Sequence, residues 1–182
     1  MKYIALLRGI NISGKNKIAM NELKNALKRF NYENIKTHLN SGNIIFESDT
    51  FDKSLIITNI RSLIAEQFHL DLPIYVLTAS ELENIIDHHP VWWGTCNKEI
   101  YDNIIFPISP TTSSEVIKIV GEPKIHIDQI AEYNNIIFWS YDINNYRKSN
   151  WWIKTANKAI CNQITIRTAN TMKKILEIIN DF

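Results

Sequence analysis

YIALLRGINISGKN (residues 3–16) is a short apolar run that ends in an arginine and opens into a glycine-spaced polar loop closing on a lysine and an asparagine. Two folds compete for it. Gly9, four further residues, Gly14 and Lys15 follow the spacing of a phosphate-binding P-loop, between a predicted strand and a predicted helix, which is the context that pattern needs. Position 16 breaks it: Asn16 stands where a Ser or Thr hydroxyl would ligate Mg²⁺. The next helix reads as starting near Asn21, so its N-terminal amides would not face a phosphate at Lys15. No strand ends in a Walker-B aspartate. The stretch is therefore the first strand and first loop of something other than a parallel-sheet ATPase.

Working outward, residues 3–10 read as a central strand buried on both faces, with Arg8 near its exit. Leu23, Ala26, Leu27 and Phe30 fall at helical spacing with lysines between them, and Asn31 can end that helix. Residues 34–39 and 44–47 flank Asn40-Ser41-Gly42-Asn43, a Gly-containing polar loop between two strand-like runs, hence a hairpin. Leu55, Ile56, Ile60, Leu63 and Ile64 mark a helix that starts near Asp52 or Ser54 and runs to about Phe68. Residues 73–77 supply a fourth strand. The order is βαββαβ, the split βαβ or ferredoxin-like unit. A helix with Ser80 as N-cap follows and runs to about His88, before Pro90.

The order then repeats. A strand at 103–108 precedes a helix at 113–120 ended by Gly121, and a strand pair at 124–128 and 136–141 follows. A helix at 154–160, a strand at 164–168 and a closing helix at 170–179 complete it. NIIF at 43–46 recurs at 135–138, and Thr78-Ala79 recurs as Thr168-Ala169, offsets of 92 and 90 residues. Matching offsets in matching order are what an internal repeat gives. The sequence thus predicts an α+β chain, a tandem duplication of two ferredoxin-like (βαββαβ plus helix) subdomains, 1–90 and 91–182, packed together as one unit.

With 45% hydrophobic and 21% charged residues in 182, the chain is neither disordered nor a coiled coil. No apolar run approaches the roughly 20 residues that cross a bilayer, and Arg8 interrupts the first run too early for a signal-peptide core. The expected location is the cytoplasm, with no membrane partner. Cys96 and Cys161 lie in no disulfide or metal-ligand spacing and read as reduced, half-buried side chains, so no metal and no cofactor is expected. A net charge of +1 hides two basic segments. Lys2, Arg8, Lys15, Lys17, Lys24, Lys28 and Arg29 face Glu22 alone, and Arg147, Lys148, Lys154, Lys158, Arg167, Lys173 and Lys174 face Asp142 alone.

A split βαβ unit has sheet order 4-1-3-2, so the exit of strand one, the strand two to three hairpin and the entrance of strand four share an edge. That places Arg8, Asn11, Lys15 and Asn16 beside Asn40, Ser41 and Asn43, with His69 and Asp71 on the third approach. A Gly-rich turn with Arg and Lys presents fixed donors to a phosphate or carboxylate. The same glycines as suppliers of positive φ, with Asn and Ser as turn formers, account for the loop without a ligand.

YIALLRGINISGKNKIAMNELK, followed by THLNSGNIIFES, resembles the opening of a bacterial domain-of-unknown-function family, the one numbered 1697. Its members read LRGINVGGKN, then MAELR, then a QSGNVVF-like hairpin, and ITIRTANTMKKIL is similar to its TRNWNTV segment. Carried over by position, the family-type residues are Arg8, Gly9, Asn11, Gly14, Lys15, Asn16, Ser41, Gly42, Asn43, Arg167, Asn170 and Thr171. Ser13, Asn40, Thr168 and Ala169 depart from the pattern, the last replacing an aromatic. The resemblance implies an α+β fold of two related subdomains and no established activity.

The function therefore stays uncharacterised at this level, with catalytic residues unassigned. The working expectation is a small anionic ligand held by Arg8, Asn11, Lys15, Asn16, Ser41 and Asn43, with Arg167 and Asn170 from the second half. The alternative is a nucleic-acid-binding module that uses the basic segments and Trp92, Trp93, Trp139, Trp151 and Trp152, with Tyr141 and Tyr146 beside Arg147-Lys148. An RNP1 signature is absent, and consecutive tryptophans put one ring in a core and one at its rim. His88 and His89, at a helix end, read as partners of the helix dipole, and Ser41 with His69 lacks the strained elbow of a hydrolase.

Overall fold

The computed structural model describes residues 1–95, 97–157 and 159–182; Cys96 and Lys158 lie outside the described residues. The chain divides into two compact units, Met1–Leu82 with Ile175–Phe182, and Glu83–Lys174.

In the first unit, β1 (Lys2–Leu7), β2 (Glu33–His38), β3 (Asn43–Glu47) and β4 (Ile74–Thr78) form one antiparallel sheet of order β2-β3-β1-β4. β1 pairs with β3 from Lys2↔Glu47 to Leu6↔Asn43, and with β4 from Tyr3↔Thr78 to Leu7↔Ile74. Being central, it is apolar on both faces: every residue from Tyr3 to Leu7 is buried. Tyr3, Ala5 and Leu7 share a core with Leu23 and Leu27 of α1 (Met20–Leu27) and with Ile56, Ile60, Leu63 and Ile64 of α2 (Lys53–Phe68). Asp52 caps α2, its carboxylate accepting from Ser54 N at 2.8 Å and Leu55 N at 3.3 Å. Asn31 ends the 3-10 turn after α1 in the left-handed conformation.

In the second unit, β5 (Ile100–Pro107), β6 (Asp128–Tyr133), β7 (Ile136–Asp142) and β8 (Ile164–Thr168) repeat that order as β6-β7-β5-β8, again antiparallel. α3 (Ala79–Asp87), α4 (Ser113–Val120), α5 (Asn150–Thr155) and α6 (Ala169–Asn180) complete the elements. The recurring Thr-Ala pair has a structural reason. Thr78 and Thr168 each end a strand, pair with the central strand at Tyr3 and Asn103, and offer a hydroxyl to the amide three residues on, Glu81 N at 3.1 Å and Thr171 N at 3.2 Å. Strand end and helix cap are one residue.

Four local expectations need correction. β1 stops at Leu7, three residues short, because Leu7 N donates to Gly42 O and Arg8 N to Pro73 O, and the chain bends at Gly9. The cap of α3 is Thr78, not Ser80. The strand expected at 124–128 is absent apart from Asp128, which opens β6. The edge strand is β6, joined to β7 through Asn134 and Asn135, both at positive φ (44° and 61°), the two-residue turn that suits a twisted hairpin. The fifth helix lies at Asn150–Thr155 rather than 154–160, because Ser149 caps it by accepting from Trp152 N at 2.9 Å.

Candidate functional site

The loop after β1 is shaped by its own side chains. Gly9, Asn11, Ser13, Gly14 and Asn16 all have positive φ, between 48° and 77°. Such backbone is strained for any residue but glycine, least so for asparagine. Main-chain bonds Asn11 N→Asn16 O (3.1 Å) and Lys15 N→Ile12 O (2.9 Å) close the turn. The Asn11 amide does more: its Nδ2 donates to Ile18 O at 3.0 Å and to Asn40 O at 2.9 Å, and its Oδ1 accepts from Ile18 N at 3.0 Å. Asn16 Nδ2 donates to Gly9 O at 2.8 Å.

The hairpin beside the loop is braced likewise. Asn43 is fully buried and its Nδ2 donates to His38 O at 2.8 Å and Ser41 Oγ at 3.1 Å. Gly42 lies so close to β1 that a Cβ there would meet Leu7 Cβ at 2.7 Å and Ile10 Cδ1 at 2.8 Å. Loop and hairpin are thus one assembly, joined by Asn11 to Asn40 and by Gly42 to Leu7.

Six of the eight candidate residues, Arg8, Asn11, Lys15, Asn16, Ser41 and Asn43, fall at this one end of the first sheet. Their roles divide. An asparagine side chain has two N–H donors, and Asn11 uses both on main-chain carbonyls. Asn11, Asn16 and Asn43 hold the backbone, whereas Lys15 and Ser41 stand exposed and Arg8 half-buried at the strand exit. The loop carries no acidic residue. On the third approach Asp71 is engaged with Arg61, Nε to Oδ1 at 2.5 Å and Nη2 to Oδ2 at 2.9 Å, and that partner holds its carboxyl below the usual range. His69 takes the left-handed cap position of α2.

The other two candidates, Arg167 and Asn170, belong to the second unit. Arg167 is buried on β8, where its Nη1 donates to Thr165 Oγ1 at 2.8 Å and Ile166 O at 2.9 Å, while Asn170 is exposed in the first turn of α6. Sequence reading missed Ile12 and Leu39, which stand 56% and 57% exposed at the loop and hairpin tips. An apolar residue placed inside an otherwise polar turn was the available signal. Among the described residues no group of three His, Cys, Asp or Glu side chains is arranged to hold a metal, and no helix is long and apolar enough to cross a membrane.

Three of the tryptophans are core. Trp93, Trp139 and Trp151 are buried, with Trp93 Nε1 donating to Asn103 O at 2.7 Å and Trp151 Nε1 to Gly121 O at 3.0 Å. His88 Nδ1 lies 2.8 Å from Asn84 O near the end of α3, its ring stacked on Tyr133.

Residues 1–138 match the family described as "Protein of unknown function (DUF1697)". The chain belongs to this family. The DUF1697 match takes in the whole loop and hairpin and ends before Arg167 and Asn170. Over the full length the chain is similar to a solved structure, that of the conserved bacterial protein SP0830 from Streptococcus pneumoniae, at 26% identity and a TM-score of 0.84, covering 97% of each chain. No curated protein matches it. Family and neighbour alike leave the function uncharacterised, and neither names a ligand.

Proposed function

We propose that the loop of residues 8–18, with the hairpin tip at Ser41, binds a compact anion, a phosphate- or carboxylate-bearing small molecule. The observation that carries this reading is the self-braced loop: five left-handed residues in eight, locked by Asn11 and Asn16, around Lys15, which has no carboxylate partner among the described residues. Left-handed backbone costs an ordinary residue about 1–2 kcal/mol, so several such residues persist only where the surroundings over-determine them, as binding loops do. In this reading the asparagines position rather than touch the ligand. Arg8, Lys15 and Lys17 supply charge, and the amides of the Gly9 and Gly14 turns supply directed donors. An added Cβ at Gly9 or Gly14 would meet nothing within 4 Å, which leaves the backbone approachable there. Ile12 and Leu39 flank the site with apolar surface. Binding is proposed here, not turnover.

The test is a thermal-shift screen against inorganic phosphate, sugar phosphates, nucleotides and dicarboxylates, run beside an Arg8→Ala, Lys15→Ala double variant. A bound anion at about 100 times its dissociation constant adds roughly 2.7 kcal/mol. For a chain of this size that raises Tm by about 5–10 °C. The shift is expected to vanish in the double variant. Absence of any shift, or one that survives both substitutions, overturns the reading.

A further inference from the structure

The second unit carries an aromatic and cationic corner that the loop site leaves unused. Rings follow one another from the core to the surface: Trp139 to Tyr141 at 4.9 Å, Tyr141 to Trp152 at 5.5 Å, and Trp152 to Tyr146 at 5.1 Å between centroids. The first two are buried, but Trp152 is 42% exposed. It stands on a fixed base. The preceding Trp151 is fully buried, and Ser149 caps the helix while its buried hydroxyl donates to Asp128 Oδ1 at 2.5 Å.

Beside this indole, Asn144 to Lys148 line an open cavity of about 360 Å³. The Arg147 guanidinium lies 5.6 Å from the Tyr146 ring centroid, with Nε donating to Tyr146 Oη at 3.0 Å. The acid at this corner, Asp142, is already occupied by Asn144 N at 2.8 Å and Asn145 Nδ2 at 2.7 Å. Arg147 forms no salt bridge among the described residues, whereas Lys148 Nζ donates to Asn145 Oδ1 at 3.0 Å and has the Asp142 carboxylate near enough for its charge to act on it. Of the nearby cations Lys154 is committed elsewhere, donating to Val120 O at 2.7 Å.

We propose that Tyr146, Arg147, Lys148 and Trp152, with the side-chain amide of Asn144, bind a nucleobase and its attached phosphate. A base offers a π-face to an exposed indole and polar edges to the Asn144 side-chain amide, and its phosphate matches the Arg147 guanidinium with Lys148 beside it. A neutral ring would fill the ledge and leave that charge unanswered. Duplex bases are stacked on one another, so the ligand is a free nucleotide or a single strand.

The experiment is an anisotropy titration of the full chain with labelled oligothymidylate and oligouridylate of about ten nucleotides, at several salt concentrations, with thymidine monophosphate as competitor. Trp152→Ala and Arg147→Gln are each expected to weaken binding about tenfold or more, while Trp152→Phe, which keeps a stacking ring, stays within about threefold. Arg147→Gln also flattens the logarithmic salt slope by about 0.7, the loss of one phosphate contact on a single strand. The Arg8→Ala, Lys15→Ala variant leaves this binding unchanged, which separates it from the loop site. A monophosphate that competes as well as the oligomer identifies a nucleotide site, and a far tighter oligomer identifies a strand site. Failure of both probes to bind, or binding with the same affinity and salt slope in Trp152→Ala and Arg147→Gln, overturns the proposal.

Discussion

Gly42 meets two constraints and Gly14 only one, although both have positive φ, 80° and 77°. A methyl group at Gly42 would overlap the buried Ile10 Cδ1 and also Leu7 Cβ, which is tied directly to the β-strand backbone and cannot withdraw by a rotamer change. Gly14 has open space in the same direction. Gly14→Ala should therefore cost about 1 kcal/mol, the strain of a left-handed alanine. Gly42→Ala adds overpacking to that strain and should cost about 3 kcal/mol. Urea midpoints of the two variants measure the difference. Equal losses would mean that hairpin and strand separate easily, and the loop would then lack the rigid wall that its bracing implies.

At the level of single elements, the junction of β4 with α3 carries a reciprocal cap, Thr78 N to Glu81 Oε2 at 2.8 Å and Glu81 N to Thr78 Oγ1 at 3.1 Å, reinforced by Lys53 Nζ to Glu81 Oε1 at 2.6 Å. Burial works to raise the Glu81 carboxyl, but the bonds from Lys53 and Thr78 outweigh it and hold the group below its ordinary 4.5. A carboxylate with a lower pKa folded than unfolded stabilises fully above the unfolded value and loses that contribution as pH falls through the folded one. Glu81→Gln should thus lower Tm at pH 7, and the gap should close as pH falls from the unfolded carboxyl's 4.5 through the lower folded value. A gap that persists in acid would assign the effect to packing. Caps and apolar periods of this kind made much of the fold legible in sequence: α2 from Asp52 and its Ile and Leu spacing, α4 from Gly121, the first hairpin from Asn40-Ser41-Gly42-Asn43. Where two patterns compete, one is misread. KIHID alternates like a strand, yet the Asn134-Asn135 turn fixes the register and moves the edge strand to Asp128–Tyr133. The loop and its neighbouring hairpin were legible by residue but not by the role of each side chain, because spacing brings Asn11, Asn16 and Asn43 together without saying which way an amide turns.

For the whole molecule, α6 begins in the second unit and ends in the first, to which Ile175–Phe182 belongs. Ile175 and Ile179 are buried, Lys2 Nζ donates to Ile179 O at 3.0 Å, and the Lys2 and Lys36 ammonium groups lie 5.6 and 4.1 Å from the Phe182 ring centroid. Burial of two isoleucines is worth about 3–6 kcal/mol. That is a large share of the roughly 5–15 kcal/mol that holds a domain folded. A chain ending at Lys174 should accordingly lose first-unit stability. All five tryptophans lie between residues 92 and 152, in the second unit, so their fluorescence follows that unit while far-UV circular dichroism follows both. In urea, the shortened chain is expected to lose part of its dichroism at a lower concentration than the full chain. A tryptophan transition that stays in place would localise the loss to the first unit, and one that moves with the dichroism would show that the units unfold together. If both curves instead superimpose on those of the full chain, residues 175–182 contribute nothing to stability, and their burial against the first unit would be energetically empty.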